Sequence, residues 1–376
     1  MKYFCLMPAS IDIVIPSYRL NEKYLLPILQ LPKPAGFDIN FYLVADNPAA
    51  KVPDSIKNLV GRTDIHTIIN EKNLGFSATR NKGIDAGHGD WILLLDDDIT
   101  SDANLLHAYG KAIASHPEAL GFVGVTNFPP SVNAVTKALE INGVSTHFQL
   151  ALHEKELYWS ATANIMLNRA LLGDRRFSPV LTKSTEDMEL LFRNAFENDL
   201  KKYIAVPDAV VTHPWWGNGA IQTKRMLNYG EGAVEASWLY PLKLYTHYDF
   251  TNTTETLLIL LVAIIPCLFF HISVRFILFL AVAQILSEFL TNFYKAVKVG
   301  HTANIAVVWQ MMWHKNMMET GRLLSVIKSE KLTGFGRRID GSFRKAHPQN
   351  FRLNRWKIIK LSFFVILFVL LYYASR

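Results

Sequence analysis

Cysteine is almost missing from this sequence: Cys5 and Cys267 are the only two in 376 residues. That excludes a disulfide scaffold and any metal site built on cysteine. Charge is also scarce, at 19% of residues, whereas half of the residues are hydrophobic and 12% are aromatic. Such a composition excludes a disordered chain, a collagen-like repeat and a long coiled coil. No secretory leader is expected, because Pro8, Asp12 and Pro16 interrupt the first apolar stretch. Acids are scarcest towards the end. Residues 255–376 hold 16 Lys+Arg against 5 Asp+Glu, a balance of +11. Residues 1–254 hold 23 against 27, a balance of −4, which completes the net charge of +7. The basicity thus belongs to a tail that also carries long apolar runs. This points to a near-neutral domain followed by a membrane-attached one, not to a nucleic-acid binder.

Along the first part, short apolar runs alternate with amphipathic stretches. Residues 11–16, 41–45, 65–69 and 91–95 read as strands, and the stretches near 21–30, 75–87 and 102–115 as helices. That alternation predicts a mostly parallel sheet covered by helices on both faces. The run Ile92–Leu95 has no polar alternation, as a strand buried on both sides requires. Further strands are predicted over 120–126, 159–167 and 206–211, with a helix over 186–197.

The tail reads differently. Apolar segments occupy about 255–271, 273–290 and 358–374, separated by a basic segment over 295–357. The 36 residues of 255–290 suffice for two short passes, since one span needs roughly 20 residues. A re-entrant hairpin is the alternative. Two passes would return the basic segment to the side of the first domain, which the charge rule makes cytoplasmic. Within it, Ile305, Trp309, Met312 and Trp313 share one helical face. That face suits either an interfacial helix at headgroup depth or packing on the first domain. The expected division is a domain over 1–245 and a membrane-associated helical region over 246–376.

Asp96-Asp97-Asp98 closes the apolar run 91–95. Three carboxylates at one strand end repel one another, and a hard divalent cation with a diphosphate would compensate them. Ligands of open α/β sheets sit at such carboxyl ends. An acidic turn before a helix is the alternative. Asp46 ends an earlier strand in the same way and suits hydrogen bonds from a base or ribose. Gly75 precedes a helix start, where backbone can approach a ligand. Arg80 and Asn81 follow on that helix. Thr185-Glu186-Asp187 opens the helix at 186, either as a cap or as a general base on a rigid element. His213 follows the strand 206–211, a place for a structural histidine or a metal ligand. Gln222 and Arg225 share a helical face.

Taken in this order, the residues resemble the family 2 glycosyltransferases, over about 10–240. The resemblance is carried by IDIVIPSYR, the strand end at Asp46, NLGFSATRNKGIDAGHGDW, the LDDD at 95–98 and Thr185-Glu186-Asp187. It implies a Rossmann-like nucleotide-diphospho-sugar transferase fold and a metal-dependent, inverting transfer to a hydroxyl. Asp46 would contact the nucleoside. Pro16, Tyr18, Gly75, Arg80, Asn81 and Asp97 would join it on the donor side. Asp96 and Asp98 would form the metal-binding D-x-D, with His213 as a further metal or diphosphate contact. Asp187 would be the base, with Glu186, Trp215 and Trp216 on the acceptor side. Gln222 and Arg225 resemble the Q-x-x-R-W motif of polymer synthases. Met226 stands where that motif has tryptophan, which argues against a processive synthase. The resemblance further implies magnesium or manganese, a nucleotide-sugar donor with UDP favoured, and a lipid-linked or glycan acceptor. The rival readings are a processive polysaccharide synthase, an inert sugar-binding scaffold and a metal-dependent nucleotidyltransferase, whose basic Gly-rich activating loop is missing from residues 11–30.

Overall fold

The computed structural model describes residues 9–59, 62–344 and 351–374; Cys5 lies outside them. The strands are β1 (Ala9–Ser17), β2 (Phe37–Ala45), β3 (Ile65–Ile69), β4 (Trp91–Leu95), β5 (Thr100–Ser101), β6 (Gly121–Asn127), β7 (Glu156–Leu157), β8 (Asn164–Asn168), β9 (Tyr203–Thr212), β10 (Thr246–Tyr248) and β11 (Arg337–Ile339). The first helices are α1 (Glu22–Leu29), α2 (Asp54–Leu59), α3 (Phe76–Ala86), α4 (Leu105–Ser115), α5 (Ala134–Asn142), α6 (Arg169–Leu172) and α7 (Glu186–Glu197). They are followed by α8 (Thr223–Ala236), α9 (Thr253–Phe269), α10 (Arg275–Gly300), α11 (Ile305–Lys328) and α12 (Arg355–Ala374). Asparagine opens α1, α5, α6, α9 and α11: Asn21, Asn133, Asn168, Asn252 and Asn304 each accept a first-turn N–H. That bond satisfies a donor that the helix itself leaves unpaired.

Two compact units divide the chain. The first comprises Met1–Pro129, Ser145–Thr182 and Glu186–Trp215; the second comprises Pro130–Val144, Lys183–Thr185 and Trp216–Arg376.

The first unit is built on one large mixed sheet in the order β3-β2-β1-β4-β8-β6-β9-β5, with β7 beside β9. From β3 to β4 every pair is parallel. The chain winds from β1 outward through β2 to β3, then returns to place β4 on the other side of β1. That reversal opens a crevice at the carboxyl ends of β1 and β4, where such sheets bind ligands. The five residues of β4 are all buried, as their unbroken apolar run requires. Helix α3 approaches the sheet closely at Gly83, where an added Cβ would run into the Val14 side chain. A charged bolt lies inside this core. Asp12 of β1 is buried, accepts the Gly89 N–H at 2.6 Å and pairs with Arg169 at 2.7 Å.

Two expectations needed refinement here. The strand expected over 159–167 is β8, which starts only at Asn164. It also runs antiparallel between β4 and β6, so the sheet is not uniformly parallel.

Among its described residues, the second unit is helical apart from the β10–β11 pair. Val307, Val308 and Met311 of α11 pack with Ala138 and Ile141 of α5. The stripe singled out in the sequence lies elsewhere on that helix: Ile305, Trp309 and Trp313 are exposed. Exposed apolar side chains also run along α9, α10 and α12. Helices α10 and α12 are long and apolar enough to cross a membrane, whereas α9 is shorter, at 17 residues. Helix α10 continues ten residues past the apolar segment expected to end at 290.

Candidate functional site

The switch-point crevice gathers the carboxylates that follow β4. Asp96, Asp98 and His213 offer ligand atoms that all lie within 4.8 Å of one another. Asp98 faces the His213 Nε2 at 3.1 Å and the Arg19 guanidinium at 3.3 Å. On the other side of the ring, the His213 Nδ1 lies 2.6 Å from the Pro214 carbonyl oxygen. A carbonyl there fixes the proton on Nδ1 and leaves the Nε2 lone pair for a cation, as metal-binding imidazoles require. Burial opposes protonation of His213, but the Asp98 carboxylate outweighs it and raises the imidazole pKa. Two carboxylates and one imidazole are a donor set suited to manganese or magnesium. Asp97 turns away from the group and accepts from the Ser17 hydroxyl at 2.5 Å. Burial pushes its carboxyl up to about 6.

Arg80 ties this group to the start of α7. Its guanidinium donates to Asp96 at 2.9 Å and to Glu186 at 3.1 Å, buried between the Phe76 and Phe177 rings. Next to Glu186, Asp187 accepts the Met188 N–H at 2.7 Å. Burial and then the Glu186 charge push the Asp187 carboxyl up to about 8. The Met188 N–H and the Arg80 charge act in the opposite direction and are outweighed. Thr185, just ahead of α7, has φ +73°. A β-branched residue there is strained, and such strain gathers at functional sites.

Residues 12–173 match the family model described as "Glycosyl transferase family 2". This part of the chain is a family 2 glycosyltransferase domain. A curated relative, an uncharacterized glycosyltransferase of Methanocaldococcus jannaschii, is 33% identical over 91 residues. That match covers 23% of this chain and 31% of the relative, so the chain spans about a third of that protein's length. Among solved structures, the mannosyltransferase of Pyrobaculum calidifontis, in complex with GDP-Man and Mn2+, is 13% identical with a TM-score of 0.49. The match covers 83% of this chain and 86% of that one. The S. aureus TarS fragment 1–349, in complex with UDP, is 14% identical with a TM-score of 0.45, covering 83% and 92%.

The structure places the other residues singled out in the sequence in different ways. Asp46 is buried, and its carboxylate already accepts the N–H groups of Leu74 and Gly75 and the Asn70 amide. It thereby shapes the loop before α3, which Gly75 enters at φ +81°. Asn81 is engaged on both sides with the backbone of Phe177, at 2.9 Å each. Pro16 pairs with Val44 at the end of β1, and Tyr18 beyond it is exposed. Trp215 is buried; its indole N–H donates to the Pro129 carbonyl and its ring lies 4.8 Å from that of Phe128. Phe128 in turn lies 5.5 Å from His213. Trp216, Gln222 and Arg225 belong to the second unit. There Arg225 lies over the Trp216 ring at 4.6 Å, and the Gln222 amide donates to the Trp216 carbonyl at 2.9 Å.

Sequence reasoning missed the contributions of Ser17, Arg19 and Phe128. The first two stood inside a quoted motif but carried no spacing signal of their own. Gly232 was missed as well. Within the second unit an added Cβ at Gly232 of α8 would run into Ser184, so this glycine lets α8 close against residues 183–185.

Proposed function

We propose that this protein is a membrane-attached, metal-dependent, inverting glycosyltransferase. It would move a sugar from a nucleotide-diphosphate donor, with UDP favoured, to a hydroxyl of a lipid-linked or membrane-proximal glycan. One observation carries this reading: Arg80 bridges Asp96 of the candidate cation group and Glu186, the neighbour of Asp187. One buried network thus contains a place for a diphosphate-bound cation and a carboxylate of raised basicity. Asp96, Asp98 and His213 would hold the cation. When bound, that ion supplies positive charge against the departing diphosphate. Asp187 takes the proton from the acceptor hydroxyl as its oxygen bonds to the anomeric carbon. The bond from that carbon to the diphosphate breaks on the opposite face. Arg80 holds Asp96 and Glu186 in place while charge moves. The domain over 1–245 would do the chemistry on the cytoplasmic side, and residues 246–376 would provide the attachment.

The experiment is a panel of UDP-, GDP- and dTDP-sugars, reading released nucleotide with manganese, magnesium or chelator present. Turnover of one donor class that stops with chelator is expected. Asp98→Ala should abolish it and weaken divalent-dependent nucleotide binding. Turnover that ignores both chelator and Asp98→Ala would remove the metal assignment. Absence of turnover with every donor would favour the inert scaffold.

A further inference from the structure

We propose that the base of α12 binds the phosphate of an anionic lipid headgroup, held by Lys295 and Arg355 beside the Trp356 ring. The inference rests on the membrane-attached reading and gives that attachment a lipid chemistry.

After residue 254 the chain has five acids: Glu255, Glu288, Glu319, Glu330 and Asp340. Four are already paired. Glu255 and Glu319 hold Arg338 at 3.3 and 2.6 Å, and Glu319 also holds Arg322 at 3.0 Å. Glu288, fully buried, takes both Lys315 at 2.9 Å and Lys360 at 2.6 Å. Asp340 pairs with Arg352 at 2.5 Å. Upstream, Asp249 pairs with Lys357 at 3.1 Å. Lys295 of α10 and Arg355 of α12 form no ion pair among the described residues. The residues outside the description contain no Asp or Glu that could serve them.

These two cations converge. The Lys295 ammonium is 5.8 Å, and the Arg355 guanidinium 4.5 Å, from the centre of the Trp356 ring. An indole offers modest attraction to a cation, and two cations sharing one ring repel each other. An anion between them would relieve that repulsion. Lys315, which shares one carboxylate with Lys360, adds a further positive excess beneath.

The place in the fold selects the occupant. Beyond Lys357, α12 is apolar and exposed apart from the buried Lys360, with Ile358, Leu361, Val365 and Ile366 at 53%, 38%, 57% and 56% exposure. Tyr294 packs edge-on to Trp356 at 6.2 Å. A Trp–Tyr pair where a helix passes from charged to apolar marks the level of lipid headgroups. Basic groups between helices at that level bind anionic headgroups. A free phosphate ion shares the chemistry but would leave the adjoining apolar stripe unused.

The test uses the full chain in non-ionic detergent. Its unfolding midpoint and lipid affinity are measured with phosphatidylglycerol, with phosphatidylcholine of the same acyl chains, and with inorganic phosphate. Phosphatidylglycerol should stabilise the protein more than either of the others. The pair Lys295→Gln/Arg355→Gln should lose that preference, with affinity falling by on the order of twentyfold, from roughly fivefold per cation near an anionic surface. The pair Lys295→Arg/Arg355→Lys should keep it, which guards against a mere folding defect. Lys298→Gln, on the exposed side of α10, should change little. Equal stabilisation by the two lipids, equal stabilisation by inorganic phosphate, or an unchanged preference in the Gln pair would each overturn the proposal. Carbonate extraction of native membranes reads the underlying attachment separately. Retention without any lipid preference overturns this inference alone, whereas release overturns the attachment and this inference with it.

Discussion

The surroundings of Asp187 raise the basicity of its carboxylate, as the proposed base role requires. Burial and the Glu186 charge push it up to about 8. A base must be deprotonated to act, so transfer should rise with pH and level off above about 8. Below that value the rise should approach tenfold per pH unit, read as kcat/KM against pH. A flat profile between pH 6 and 8 would contradict the assignment. Arg80 belongs to the same scale. Arg80→Gln leaves the Asp96 and Glu186 carboxylates without their cation, and should cost roughly 3 kcal/mol or more of stability. Chemical denaturation checks this; an unchanged midpoint would show that the bridge is not needed. At this scale the sequence was informative where carboxylates crowd one strand end, because crowding demands compensation. It was silent where a side chain's partner is remote. Nothing local in LVADNP says that Asp46 turns to the N–H groups of Leu74 and Gly75, 28 and 29 residues on.

Among the elements, periodicity placed the parallel half of the sheet and α7 well, since buried strands and amphipathic helices leave clear patterns. It could not reveal the direction of β8, because an apolar run reads the same in either sense. The stripe Ile305, Trp309, Met312 and Trp313 was visible as a face of α11. Which face is covered depends on partners far away in sequence: Ala138 and Ile141 of α5 take the opposite side. Close helix contacts are equally hidden. An added Cβ at Gly230 of α8 would meet the Met318 carbonyl of α11, and one at Gly321 would meet the Leu227 carbonyl. Both obstacles are backbone, so neither can give way. Gly230→Ala and Gly321→Ala should each destabilise the second unit by about 1–3 kcal/mol, measured by urea unfolding. Wild-type stability in both variants would show that the two helices pack differently.

For the whole molecule, charge asymmetry and apolar runs set the tail apart within the sequence. The compact units do not follow a single cut, however, because residues 130–144 and 183–185 group with the tail. Pairings of that range leave no local trace in a sequence. If the tail attaches the protein, the full chain should remain in the membrane fraction through alkaline carbonate. Release into the supernatant would contradict the attachment. The central claim is that one network joins a cation-held donor to an activated acceptor, and Asp187→Asn tests it most directly. The replacement keeps size and removes the basic lone pair. Transfer, followed by product release, should fall by ~10²–10⁴-fold, the usual share of general base catalysis. Donor affinity, followed by calorimetry with manganese present, should stay close to wild type. Near-normal transfer, or loss of donor affinity with the loss of transfer, would contradict the account.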